Sequence, residues 1–212
     1  ADGRIRHPAF SSHSLTIAEE LMRTGNFEVV QLPFNFIDDA AAEKVIPLAK
    51  ELDMGFICMK PLGGGLLDNA EICFRFLMQF DGIVPDPGIE KVEEIEEIVK
   101  LYENRRELTE DDRAAIGQLK EELGTSWCHR CDYCQPCPQE IRISSVLSAG
   151  SFARRNTMEK TTTRLGPAIE HSYECVECRE CVPRCPYDLD IPELLKVQQA
   201  KYREFLSTGV WS

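Results

Sequence analysis

Eight of the ten cysteines in this chain fall between positions 128 and 185, in two short runs. The first reads CHRCDYCQPCP from Cys128 to Pro138, and the second reads CVECRECVPRCP from Cys175 to Pro186. Cys58 and Cys73 stand alone. No charged-then-apolar leader with a cleavage site opens the sequence, so a cytoplasmic protein is expected. In that compartment disulfides do not persist, and dense cysteine signals metal or redox chemistry. The 36 acidic and 24 basic residues give a net charge of −12, which argues against nucleic acid or an anionic membrane as partner. No apolar run approaches the ~18 residues a membrane span needs, because Lys60 and the glycines at 63–65 interrupt the best candidate.

The second run is C-x2-C-x2-C-x3-C-P, the ferredoxin signature for a [4Fe–4S] cluster. Cysteines three apart let the chain wrap a cubane, with backbone N–H groups directed at sulfur. In two-cluster ferredoxins the cysteine before proline ligates the other cluster. By that likeness Cys128, Cys131, Cys134 and Cys185 hold one cluster, and Cys175, Cys178, Cys181 and Cys137 hold the second. The first run has one residue fewer before its last cysteine, which makes Cys137 the least regular ligand. Zinc is the alternative, but four ligands suffice for zinc, and two triplets at strict spacing exceed that need. His129 is not required as a ligand. Between the runs, ISSVLSAGSFARR reads as helical. So does the tail after Pro192, with Leu194, Leu195, Val197 and Tyr202, so a helical ferredoxin-like domain is expected over 125–212.

Residues 1–124 have another rhythm. Strand-like runs at 4–10, 28–36, 54–60 and 82–86 recur every 24 to 28 residues, each followed by a helical pattern. Ser14 caps a helix in which Ile17, Leu21 and Met22 share a face. Asp38 or Asp39 precedes a helix over AAAEKVIPLAKEL, and Asp68 precedes one over NAEICFRFLMQF. A fourth places Val92, Ile95, Ile98 and Val99 at helical spacing, with a solvated run of glutamates at 93–97. Thr109 and Asp112 cap a fifth, closed by Gly124. Repeated βα units predict a parallel sheet, either an open doubly-wound domain or half of an eight-fold barrel. No G-x-G-x-x-G follows the first strand, which disfavours the dinucleotide form of the former.

The segments IRHPAFSSHS, VVQLPFNF, ICMKPLGGG and IVPDPGIEKVEEIEEIV, in that order and spacing, resemble strands five to eight of the aldo/keto reductase barrel. The cysteine runs resemble the tail of the ferredoxin-fused branch of that family. The resemblance implies the C-terminal half of a (β/α)8 TIM-type barrel followed by an α-helical ferredoxin-like iron–sulfur domain. It implies a nicotinamide cofactor, NAD or NADP, at the strand ends. Ser11, Ser12 and Gln31 match contacts to the carboxamide, and Met59 stands where an aromatic ring stacks on the nicotinamide. Lys60, Pro61, Leu62 and Gly63 match a loop that reaches the pyrophosphate. Two departures stand against the family pattern: Met59 offers no aromatic stack, and only Lys91 is positive among residues 90–94, which weakens NADP selectivity. Taken by itself, the stretch 61–65 reads as a turn. His7 and His13 read as surface or capping residues, and Cys58 and Cys73 as buried apolar ones.

No segment matches the strands that carry the family's catalytic residues, so no catalytic residue is assigned. The expectation is an iron–sulfur oxidoreductase whose two [4Fe–4S] clusters exchange electrons with a barrel site. The catalytic half is supplied by an upstream segment or another chain. The alternative is a non-catalytic electron-transfer or docking subunit that uses the half-barrel as scaffold to meet a redox partner protein.

Overall fold

The computed structural model describes residues 3–123 and 127–211. The chain divides into two compact units, Ala1–Glu122 and Leu123–Ser212. The boundary expected at 124/125, and Gly124 as a helix terminator, lie outside the described residues.

The first unit alternates strands and helices: β1 (Ala9–Ser11), α1 (Leu15–Met22), β2 (Val29–Pro33), α2 (Val45–Glu51), β3 (Gly55–Met59), α3 (Ala70–Leu77), β4 (Ile83–Asp86), α4 (Val92–Glu103) and α5 (Glu110–Leu123). The four strands form one parallel sheet in the order β1-β2-β3-β4. Val30, Leu32, Phe56 and Cys58 pair in register and are fully buried. They meet Ala18 and Met22 of α1, Val45, Leu48 and Ala49 of α2, Phe74 and Leu77 of α3, and Ile98 of α4 in one core. The opposite face, with Ser11, Gln31, Ile57 and Met59, stays outside that core. Strictly sequential order with one-handed crossovers puts every helix on the same side, whereas a doubly-wound sheet covers both sides.

Several elements differ from their sequence patterns. Residues 4–7 bend rather than extend, so β1 begins at Ala9. Ser14 does cap α1 through Ile17 N, at 3.4 Å. The buried stripe is Ala18 and Met22 while Ile17 turns outward, because the helix's core-facing arc falls one residue later than the apolar spacing suggests. The stretch after Asp39 breaks into a 3-10 turn, Ala40–Ala42, and α2. Pro47 sits at the third position of α2, where a missing N–H costs nothing, and its ring would clash with a continuous helix through Glu43. Asn69, not Asp68, caps α3 through Ile72 N, at 3.1 Å. On α4 only Ile98 is buried; Val92, Ile95 and Val99 face out beside the solvated glutamates.

The second unit is built from α6 (Ile143–Leu147), α7 (Ala149–Ala153), α8 (Met158–His171) and α9 (Ile191–Thr208), with the cysteine loops before α6 and α9. The segment ISSVLSAGSFARR becomes two short helices that meet at Ser148. Its core holds Ile141, Ile143, Val146, Ile169, Ile191 and Leu195, with Tyr202, Phe205 and Trp211 closing the far end. Leu195 and Tyr202 are buried as their spacing predicts, but Val197 is exposed and Gln199 takes an inward position. Gln199 is satisfied there by donating to Ser172 Oγ at 3.0 Å. Among the described residues no helix is long and apolar enough to cross a membrane.

Candidate metal centres and strand-end site

The two cysteine runs adopt the same backbone path. In the first, Arg130 and Asp132 have φ of 53° and 60°; in the second, Glu177 and Arg179 have φ of 52° and 60°. These are the second and fourth residues after the leading cysteine of each run. The likeness continues past the last cysteine, where Glu140 and Asp188 have φ of 55° and 52°, each three residues beyond its Cys. Ile143 N then reaches Ile141 O at 2.9 Å, and Ile191 N reaches Leu189 O at 2.9 Å, at the starts of α6 and α9. Left-handed backbone at a non-glycine residue costs about 1 kcal/mol or more, so six such residues in matched places mark a functional constraint. Right- and left-handed residues in alternation turn successive N–H groups inward, toward an anionic centre. Arg130 N already donates to Cys128 Sγ at 3.4 Å.

Each run contributes three cysteines to one cavity and its last cysteine to the other. Cys128, Cys131 and Cys134 line one cavity together with Cys185. Cys175, Cys178 and Cys181 line the other together with Cys137. Ile143, fully buried, forms part of both walls. Electrostatics group the thiols the same way. Burial pushes the Cys134 thiol up to about 12, and the neighbouring Cys128 and Cys131 add to the rise. Burial also raises Cys128, with Cys131 and Cys185 adding to it, and raises Cys181, with Cys175, Cys178 and Cys137 adding to it. Thiols so disposed ionise readily only when a cationic centre is present to hold them.

The crossing is held by contacts between the runs. His129 is sandwiched between Trp127, with ring centroids 3.7 Å apart, and Tyr187, at 3.4 Å. Arg184 Nη1 donates to Pro136 O at 2.7 Å, while within the second run's own loop Arg179 spans both carboxylate oxygens of Asp190 at 3.3 and 3.2 Å. Among the described residues no three His, Cys, Asp or Glu side chains converge closely enough to hold a single metal ion. The donor set at each cavity, four sulfurs around an apolar hollow, fits an iron–sulfur cluster.

At the C-terminal ends of the strands of the first unit, Ser11 pairs with Gln31 across β1 and β2, and Met59 pairs with Asp86 across β3 and β4. Gln31 Nε2 donates to Asp86 Oδ2 at 3.1 Å. Ser12 is buried, with its hydroxyl donating to Ser14 O at 3.0 Å. Lys60, with φ of 56°, brings its ammonium to within 3.4 Å of His13 Nε2. Leu62 and Gly63 lie in a tight turn: Gly63 N donates to Lys60 O at 2.8 Å and Gly65 N to Leu62 O at 2.9 Å. A Cβ on Gly63, at φ of 58°, would come within 3.2 Å of Leu67 Cγ. Ser11, Gln31 and Met59 therefore share one sheet end. The amides of Gly63 and Gly65 serve the turn itself, as the stretch 61–65 suggests when read alone.

His7 bonds Glu28 at 2.6 Å on the surface. Cys58 donates to Phe34 O at 2.9 Å, and burial lifts its thiol, like that of Cys73, to about 12. Sequence reasoning missed Asp86 as a strand-end carboxylate; its place at the end of the fourth strand was the available signal. It also missed α8, whose Thr157 cap and inward positions Thr161, Leu165, Ala168 and Ile169 are obscured by three consecutive threonines and Pro167.

The model of the aldo/keto reductase family matches residues 1–72, and that of a 4Fe–4S dicluster domain matches residues 127–190. No curated protein and no solved structure matches the chain. The chain thus joins an aldo/keto reductase segment to an iron–sulfur dicluster module, the arrangement of an iron–sulfur, oxidoreductase-like protein.

Proposed function

We propose that the chain carries two [4Fe–4S] clusters and serves an aldo/keto reductase-like oxidoreductase, passing electrons to or from a nicotinamide-binding barrel site. The observation that carries this reading is the exchange of last cysteines between the two runs, four thiols to each cavity. Cys128, Cys131, Cys134 and Cys185 would hold one cluster, and Cys175, Cys178, Cys181 and Cys137 the other. When bound, such clusters supply one-electron transfer. The residues around them fix the thiol positions: His129 and Tyr187 close one cavity, and Ile143 and Leu195 wall the second against water. The module is of the helical ferredoxin-like kind in this reading, and the domains divide near 124.

The sheet supports the barrel half of the proposal. Its helices cover one face, β1 and β4 are its two edges, and Val84 on β4 is 63% exposed. A second set of βα units, upstream or on another chain, would continue both edges and bring the catalytic groups. Ser11, Ser12, Gln31, Met59, Lys60, Leu62 and Gly63 would then border the nicotinamide dinucleotide. Ser12 holds the β1 end rigid, and Asp86 orients the Gln31 amide.

Anaerobic purification tests the cluster assignment: about eight iron and eight sulfide per chain are expected. Zinc in place of iron would overturn it. Titration with NADH and NADPH, alone and with a barrel-completing partner, tests the second part. Binding of neither in the completed assembly would leave the docking-subunit alternative standing instead.

A further inference from the structure

Four arginines line one hollow in the second unit. Arg130 comes from the first cysteine run, Arg142 from the start of α6, Arg155 from the segment after α7, and Arg164 from α8. They border a cavity of about 200 Å³ whose described lining includes Ser145 and Phe152 but no carboxylate. In a chain of net charge −12 this concentration of positive charge runs against the average surface. Three exposed arginines elsewhere are neutralised locally: Arg106 by Asp112, Arg179 by Asp190 and Arg184 by Glu180. Arg142, Arg155 and Arg164 have no ion pair among the described residues. Arg155 Nε donates to Ser151 O at 3.0 Å, and Arg164 lies 5.4 Å over the ring of Phe152. Those contacts aim the side chains without cancelling their charge.

Four like charges around one space repel one another, and the arrangement is held only by the four separate segments that carry them. An occupant with two or more negative groups removes that repulsion, and guanidinium forks match phosphate or carboxylate oxygens in pairs. We propose that this hollow binds a compact polyanion carrying at least two oxyanion groups, phosphate or carboxylate. Because Arg130 lies between Cys128 and Cys131, its bound charge would sit beside the first cysteine cavity.

Isothermal titration of the anaerobically purified, iron-loaded protein with pyrophosphate, citrate and hexaglutamate tests this. Saturable binding of pyrophosphate identifies phosphate as the recognised group, and saturable binding of citrate identifies carboxylate. Either must weaken about tenfold or more in R142A and in R164A, and fall with added salt. R23A, on the first unit, should bind like the parent. No saturable binding of either small anion overturns the proposal, as does binding that survives the R142A/R164A double variant. Binding of hexaglutamate alone also overturns it, in favour of a docking surface for an acidic protein. Iron content measured on the same samples keeps a failure of the cluster assignment distinct from a failure of the anion site.

Discussion

The imidazole of His129 lies flat on the phenol ring of Tyr187, with centroids 3.4 Å apart and planes 4° from parallel. His129 follows the leading cysteine of the first run, and Tyr187 stands two residues past the last cysteine of the second. The stack therefore fastens Cys185 into the set formed by Cys128, Cys131 and Cys134, across 57 residues of sequence. Trp127 covers the other face of the imidazole, leaving His129 6% exposed.

Removing that ring should loosen the crossing. His129→Ala is expected to lower the stability of the iron-loaded second unit by about 1–3 kcal/mol, from lost stacking and a buried void. Anaerobic denaturant unfolding followed by the visible absorbance measures it. An unchanged midpoint would show that the sandwich is incidental.

Cross-sharing of cysteines makes a prediction about pairs of substitutions. Cys185→Ser alone should reduce iron from about eight to about four per chain, and adding Cys131→Ser should remove no more. Combining Cys137→Ser with Cys131→Ser should remove both clusters. If Cys137 pairs with its own run instead, that second double variant will keep half its iron. Cys73→Ser should leave the iron content whole.

The two isolated cysteines give a contrast in reactivity. With their thiols pushed up to about 12 by burial, Cys58 and Cys73 stay protonated in the native protein through neutral and mildly alkaline pH. Iodoacetamide at about pH 8, well below those values, should leave both unmodified by mass spectrometry until denaturant is added. Prompt native labelling of Cys58 would contradict its burial beneath Phe34 O.

The start of α5 depends on pH. Asp112 accepts from Thr109 N at 2.8 Å, while Thr109 Oγ1 accepts from Asp112 N at 3.1 Å. Arg106 beside Asp112, and then the Thr109 N–H, hold its carboxyl below the ordinary range. A depressed carboxylate stabilises the fold fully above its unfolded value of about 4 and loses that contribution as pH falls toward the native value. Asp112→Asn should cost about 1 kcal/mol at pH 7, and the gap to the parent should narrow in strong acid. A difference that stays constant down to pH 2 would remove the charge from the explanation.

Helices α8 and α9 approach closely at one glycine. A Cβ added to Gly166 would fall 2.7 Å from the Tyr202 hydroxyl. Gly166→Ala is expected to destabilise the second unit by about 1–3 kcal/mol despite alanine's better helix propensity. Pairing it with Tyr202→Phe should restore part of the loss, as read by thermal unfolding.

The local patterns survive the comparison unevenly, and for identifiable reasons. The strands β2, β3 and β4 stand where runs of apolar residues placed them, because period and β-branching report burial directly. The exact faces of α1, α4 and α9 do not follow from spacing alone. Ile17, Val92, Ile95, Val99 and Val197 are apolar at helical intervals yet exposed, since which side of a helix is inward depends on what packs against it. Helix α8 was hidden by residues that favour other structure in isolation, and it forms because Thr161 and Ile169 are wholly enclosed by its neighbours.

The cysteine spacing alone determined the chemistry: triplets at i, i+3 and i+6 can wrap a cluster, and a following Cys-Pro turns the last ligand away. The recurrence of apolar runs likewise determined a parallel βα sheet. Only the tertiary structure decided that the helices share one face of that sheet, that Gln31 meets Asp86 across it, and that four arginines from separate elements gather round one hollow. Spacing governs what neighbours along the chain can do together. Contacts between residues tens of positions apart depend on how the elements pack, which no local pattern records.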